Sequence, residues 1–274
     1  MSQFIMECRR LWKGCAIWCA ALAGLFVMYA AFFPSMESTE LGTLLSEKLD
    51  LLPQGFLEAF GLGSGLNLSD FMEYAAYILQ FMMIGAAVYG MILGTRALAS
   101  EEGDGTIEFL YAQPVSRLRI VLTKMAASAL ALTLTGTVLL LTALCCAAAL
   151  GEGDKAGQLA AVTCLSFLPC FVYWAAGFAV SAFLSRSSGA VSLSLGLFFG
   201  SYMLGIVAQT VEQLDFLHYL CPVMYAVPVD IFRALAEKPG SKPLSGWTLL
   251  LGVALTAAGI VTALVQYRRK DMRP

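Results

Sequence analysis

The chain has 274 residues, 59% of them apolar and only 13% charged, with a formal net charge of −2. An ordinary soluble domain carries about 25% charged residues, so this composition excludes a conventional soluble enzyme and points into a membrane. No basic patch with interleaved aromatics is present, which removes nucleic acid from the list of partners.

In chain order, six charge-free runs stand out: Gly14 to Met36, Tyr74 to Thr95, Met125 to Gly151, Ala156 to Ser185, Ser187 to Val211 and Pro243 to Tyr267. Each exceeds the roughly 18 to 20 residues that cross about 30 Å of hydrocarbon at about 1.5 Å per residue. Period-2 alternation is absent, and lipid demands that backbone groups be satisfied within the segment, so the runs read as helices. The expected fold is an all-α membrane protein with six spans, near 14–35, 74–97, 120–150, 158–184, 188–210 and 245–267. Residues 1–274 then form a single transmembrane domain, because no stretch between spans is long enough for a soluble domain of ordinary size.

Twelve of the seventeen Lys and Arg residues fall on one side if the N-terminus faces inward, and six of the nineteen acids accompany them. The positive-inside rule then predicts that both termini are cytoplasmic. Thirteen amphipathic residues precede the first run, which is long for a signal peptide and is read as a span. In that arm Phe4, Ile5, Cys8, Leu11 and Trp12 recur at helical spacing, while Gln3, Glu7, Arg9, Arg10 and Lys13 fill the other face. The pattern predicts an interfacial amphipathic helix along the inner surface, its cations near anionic lipid headgroups.

The first outer loop, Pro34 to Glu73, holds seven acids against Lys48 and reads as an acidic solvated cap. The inside loop after span two is different. Asp104 is placed to cap a short helix on which Ile107, Leu110 and Tyr111 share a face, with Phe109 beside them and Glu108 on a more polar side. Pro114 stops it, and Ser116 is placed to cap the next helix, starting at Arg117. A plain solvated loop has no reason to display those apolar groups to water.

The run Glu101, Glu102, Gly105, Thr106, Glu108, Leu110, Pro114, Val115, Ser116, Arg117 and Lys124 resembles the inside-loop signature of the permeases of type-two ABC transporters. The stretch Leu52 to Gly61 and the closing Tyr267 to Asp271 are similar to that family as well. The resemblance implies an exporter permease, in which two permease chains, identical or homologous, form the pathway and two ABC ATPase subunits dock beneath. It implies that Gly105 to Tyr111 is a coupling helix, with Glu101, Gly105, Thr106, Ile107, Glu108, Phe109, Leu110, Tyr111, Pro114 and Arg117 coupling to the ATPase. ATP and Mg would belong to that partner, since this chain lacks the G-x-x-x-x-G-K-[ST] loop needed to cradle phosphates. A bacterial cytoplasmic membrane is the implied location.

Gly90 and Gly94 on span two, and Ser192, Gly196 and Gly200 on span five, have small-x-x-x-small spacing. It fits helix packing within one subunit, or a dimer interface and pathway as the resemblance implies. Between spans five and six, Phe216, His218, Tyr219 and Pro222 lie in a stretch too apolar for a free loop, and the resemblance implies re-entrant helices acting as an external gate. His218 reads as a packing residue rather than a ligand. The charge-free spans argue against a proton relay and favour a hydrophobic or amphipathic cargo such as a drug, peptide or lipid, although Thr133, Thr135 and Thr137 offer hydroxyls for a polar path. No metal site is expected: the Cys145–Cys146 pair lacks a neighbouring His or carboxylate. No catalytic constellation is present. The readings from other classes are an ATP-independent channel or secondary carrier, and a membrane protein that sequesters a peptide.

Overall fold

A computed structural model describes residues 2–37, 67–103, 117–184, 189–210, 212–236 and 246–269. All regular secondary structure among them is helical. The helices are α1 (Ser2–Ala30), α2 (Phe33–Glu37), α3 (Phe71–Gly103), α4 (Arg117–Ala149), α5 (Ala156–Phe183), α6 (Ala190–Thr210), α7 (Pro228–Leu235) and α8 (Gly246–Arg269). Short 3-10 helices cover Gly153–Lys155, Glu212–Leu220 and Pro222–Ala226. Six segments are long and apolar enough to span a bilayer: Gln3–Glu37, Phe71–Leu98, Leu118–Ala149, Gly153–Phe183, Ala190–Gln209 and Gly246–Tyr267.

Helix starts follow from local chemistry where the residues are described. Asp70 caps α3, its Oδ1 accepting the Met72 amide at 3.0 Å, and the Asn67 side chain accepts the Ser69 amide at 3.1 Å. Hydroxyls inside the spans are accommodated by donating to the carbonyl four residues back, as Thr95, Thr135, Thr163, Ser194 and Thr256 do. Pro169 sits within α5, where neighbouring helices shield the interrupted backbone from lipid.

Two helices form the centre. The apolar windows of α3 and α5 are 67% and 61% buried, against 22% to 28% for the other four spans. They cross backbone to backbone through three glycines. A Cβ on Gly94 would lie 2.2 Å from the Trp174 carbonyl oxygen, one on Gly90 2.8 Å from that of Cys170, and one on Gly177 2.6 Å from that of Met91. Side chains at these points would force the helices apart. Along the two helices Ala86, Ala87, Cys170 and Phe178 have almost no exposure.

The remaining spans wrap this pair. α4 lies alongside α1, α6 packs on α3, and α8 packs on α5, where Gly259 lets the backbone approach Ala175. α1 and α4 run parallel in a fixed register: Glu7 meets Lys124, Cys15 meets Ala131, and Cys19 meets Thr135.

The arm expected to lie flat along the membrane differs from the structure. Ser2 to Ala30 is one continuous helix, and the face that packs is chosen by α4. Glu7 and Cys15 are buried, whereas Phe4, Ile5 and Trp12 are exposed. Thr133, Thr135 and Thr137 do not form one polar stripe either: Thr135 is buried against α1, and the other two face outward.

Candidate functional site

Among the described residues, charged groups gather at the two ends of the bundle and none lies in its middle. At the end bearing the N-terminus, the Lys124 ammonium donates to Glu7 Oε1 at 2.9 Å, both side chains almost fully enclosed. One turn along α4, Ser128 donates to the Lys124 carbonyl at 2.8 Å and accepts the Trp174 indole N–H at 3.0 Å. Trp174 is also the residue whose carbonyl abuts Gly94. Nearby, the Leu98 amide donates to Ser181 Oγ at 3.0 Å, tying α3 to α5.

At the opposite end, Glu73 is 3% exposed in the first turn of α3. Its Oε2 accepts the Asn67 amide at 2.6 Å and lies 3.7 Å from Arg233 on α7. Lys155 bridges Glu152 at 2.9 Å and Asp70 at 3.7 Å. The Arg233 contact anchors α7 onto the start of α3, and the Lys155 pairs tie the turn before α5 to the same end of α3. Cys221, Met224, Tyr225, Ile231 and Phe232 supply the apolar underside. Burial, followed by the Cys221 thiol, pushes the Tyr225 phenol up to about 12. It stays protonated at neutral pH and donates to the Tyr219 carbonyl.

The site residues expected from sequence fall into three groups. Gly105, Thr106, Ile107, Glu108, Phe109, Leu110, Tyr111 and Pro114 lie outside the described residues; Glu101 is in the last turn of α3, and Arg117 opens α4. Gly90 and Gly94 are consumed by the crossing with α5 inside the chain, leaving no room there for a second subunit. Ser192, Gly196 and Gly200 instead lie on the outer face of α6; nothing comes within 4 Å of a Cβ on either glycine, and Leu197, Phe199 and Met203 flank them, exposed. Of the gate residues, Phe216 and Tyr219 are exposed, Pro222 opens a 3-10 helix, and the His218 ring packs between Tyr219 and Tyr225. The stretch is folded, as its apolar content required.

Sequence reasoning missed the Glu7–Lys124 pair, the Glu73–Arg233 contact and the role of Gly177. Glu7 is the lone acid of the arm, the only available hint of a buried partner.

Nothing in the described residues assembles metal-ligand chemistry, and all eight cysteines are free thiols. An open groove of about 460 Å³ beside α1 and α4, lined by Val27, Val138, Leu141, Thr142, Cys145, Cys146 and Ala149, is almost wholly apolar. A two-helix centre wrapped by four lipid-length helices, with charge confined to the ends, defines a multi-pass membrane protein. Its residues 4–272 match the family model described as ABC-2 family transporter protein. The chain therefore belongs to that family, as the inside-loop residues indicated, and is a membrane transport component of the ABC permease type. No curated protein matches the sequence.

Proposed function

We propose that this chain is the permease subunit of an ATP-driven exporter in a bacterial cytoplasmic membrane, with its N-terminal end facing the cytoplasm. The observation that carries the reading is the family match over residues 4–272, joined to a stretch at 101–117 whose apolar and acidic residues have the family's coupling pattern. Two separate ATPase subunits, each binding ATP and Mg, would dock beneath two permease chains, and hydrolysis would occur on those partners. Gly105 to Tyr111 would act as the coupling helix, passing the closure of the ATPases to the spans.

The outer face of α6 around Ser192, Gly196 and Gly200 is the surface we assign to the second permease chain, because small residues there leave backbone open to close approach. The short helices after α6 would form the external gate, re-entrant from the outer side. A cargo with apolar character suits a path whose spans contain no ionisable group in their middle.

The test is purification of the chain from native membranes in mild detergent, with mass spectrometry of what accompanies it. A protein carrying a phosphate-binding loop is expected, and it should disappear when Ile107 to Tyr111 are replaced by Ser. Reproducible recovery of the chain alone, moving solute in liposomes without nucleotide, would establish the channel or carrier instead.

A further inference from the structure

α4 is too long for the membrane it crosses. Its 33 residues extend about 50 Å at about 1.5 Å per residue, against about 30 Å of hydrocarbon. Counting about twenty residues back from Ala149 puts the hydrocarbon boundary near Leu130. The parallel register set by Glu7–Lys124 and Cys15–Ala131 carries the same boundary to Lys13 and Gly14 on α1. That is where the charge-free run of α1 begins and where Trp12 stands 66% exposed, as an interfacial Trp should. The register and the start of the charge-free run of α1 agree, so the first dozen residues of α1 and the stretch of α4 beside them project past the hydrocarbon as a two-helix stalk.

Glu7 and Lys124 sit about six residues, roughly 9 Å, into that stalk. Exposed ion pairs at such a height contribute little, because water and salt screen them. This pair is different: its side chains are 11% and 3% exposed, and the contact is 2.9 Å. Separating the two helices would break this enclosed charge–charge contact, a severe penalty that keeps the seam closed. Beyond the pair, Ser128 bonds both the Lys124 carbonyl and the Trp174 indole, so the stalk is fastened to the α3–α5 crossing at Gly94.

We propose that Glu7 and Lys124 are positioning residues that clamp the N-terminal arm to the root of α4, so that a push delivered at the start of α4 moves α1 and α4 together as one lever against α3 and α5. The inference rests on the proposed reading of the chain as an ATPase-driven permease. It assigns the arm a mechanical role through a specific buried contact rather than through attachment to the lipid surface.

The test uses the full chain assembled with its ATPase in lipid nanodiscs, comparing wild type with Glu7→Gln, Lys124→Met and the exchange Glu7→Lys with Lys124→Glu. Complexes are matched for folded, monodisperse permease, and the readouts are ATPase bound per permease and the acceleration of ATP hydrolysis on assembly. Each single variant is expected to retain bound ATPase while losing at least about tenfold of that acceleration, and the exchange should return it to within about twofold of wild type. A merely structural pair would lower the folded yield without changing the turnover of complexes that do form. Single variants that accelerate hydrolysis like wild type, or an exchange as impaired as the single variants, overturn the inference while leaving the ATPase partnership intact. A wild-type chain that takes up no ATPase overturns the functional reading and the inference with it.

Discussion

Gly94 and Gly196 belong to motifs of the same spacing yet meet opposite surroundings. A methyl group on Gly94 would press into the Trp174 carbonyl and the Phe178 amide, which are helix backbone and cannot step aside, whereas one on Gly196 meets nothing within 4 Å. Gly94→Ala should therefore cost about 3 kcal/mol, the upper range for overpacking, and Gly196→Ala close to nothing in the isolated chain. Thermal denaturation of the two variants in detergent checks this, and equal melting temperatures would refute the assignment of Gly94 to the central crossing. At the opposite end Arg233→Met removes the guanidinium that lies 3.7 Å from the buried Glu73 carboxylate. A loss of about 2 kcal/mol is expected, less than for a fully enclosed pair because Arg233 keeps some exposure. What Gly94 and Glu73 meet was not legible in the sequence: spacing identifies a small-residue stripe, but whether it meets Gly177 or open lipid depends on which helices become neighbours.

Among elements, the spans were readable because hydropathy integrates over about twenty residues and needs no knowledge of neighbours. The arm was not, since its alternation of apolar and charged groups fits an interfacial helix equally well. Only packing against α4 decides that Glu7, and not Trp12, turns inward. The short helices after α6 were foreseeable as folded from their apolar content, while their anchoring through Arg233 required the ends of α3 and α7 to meet. α6 carries the next expectation. In a chain whose exposed Cys145 and Cys164 are replaced by Ser, Gly196→Cys or Gly200→Cys should form a crosslinked permease pair in membranes on mild oxidation if the complex is a homodimer. Val253→Cys on the lipid-exposed face of α8, 68% exposed, should not. Crosslinking by Val253→Cys but by neither α6 variant would move the subunit contact to α8.

Across the whole molecule, the two ends differ in kind. Among the described residues, the N-terminal end shows Arg9, Arg10, Lys13, Arg96 and Arg119 around the buried Glu7–Lys124 pair, while the opposite end is built on Asp70, Glu73, Glu152 and Asp154 with Lys155 and Arg233 among them. That asymmetry underlies the proposed orientation, and it was legible from the distribution of Lys and Arg alone. Family membership was legible too, because the inside-loop residues form a dense local pattern, whereas no residue pattern in the spans specifies a cargo.

Whether this chain works as one subunit of a permease–ATPase assembly is read from the intact mass of the native complex released from nanodiscs. Two permease chains are expected, each of 29.4 kDa when they are identical, together with two copies of an ATPase, and loss of both ATPases when residues 107–111 are replaced. A complex recovered from native membranes that contains only this chain would rule the assembly out.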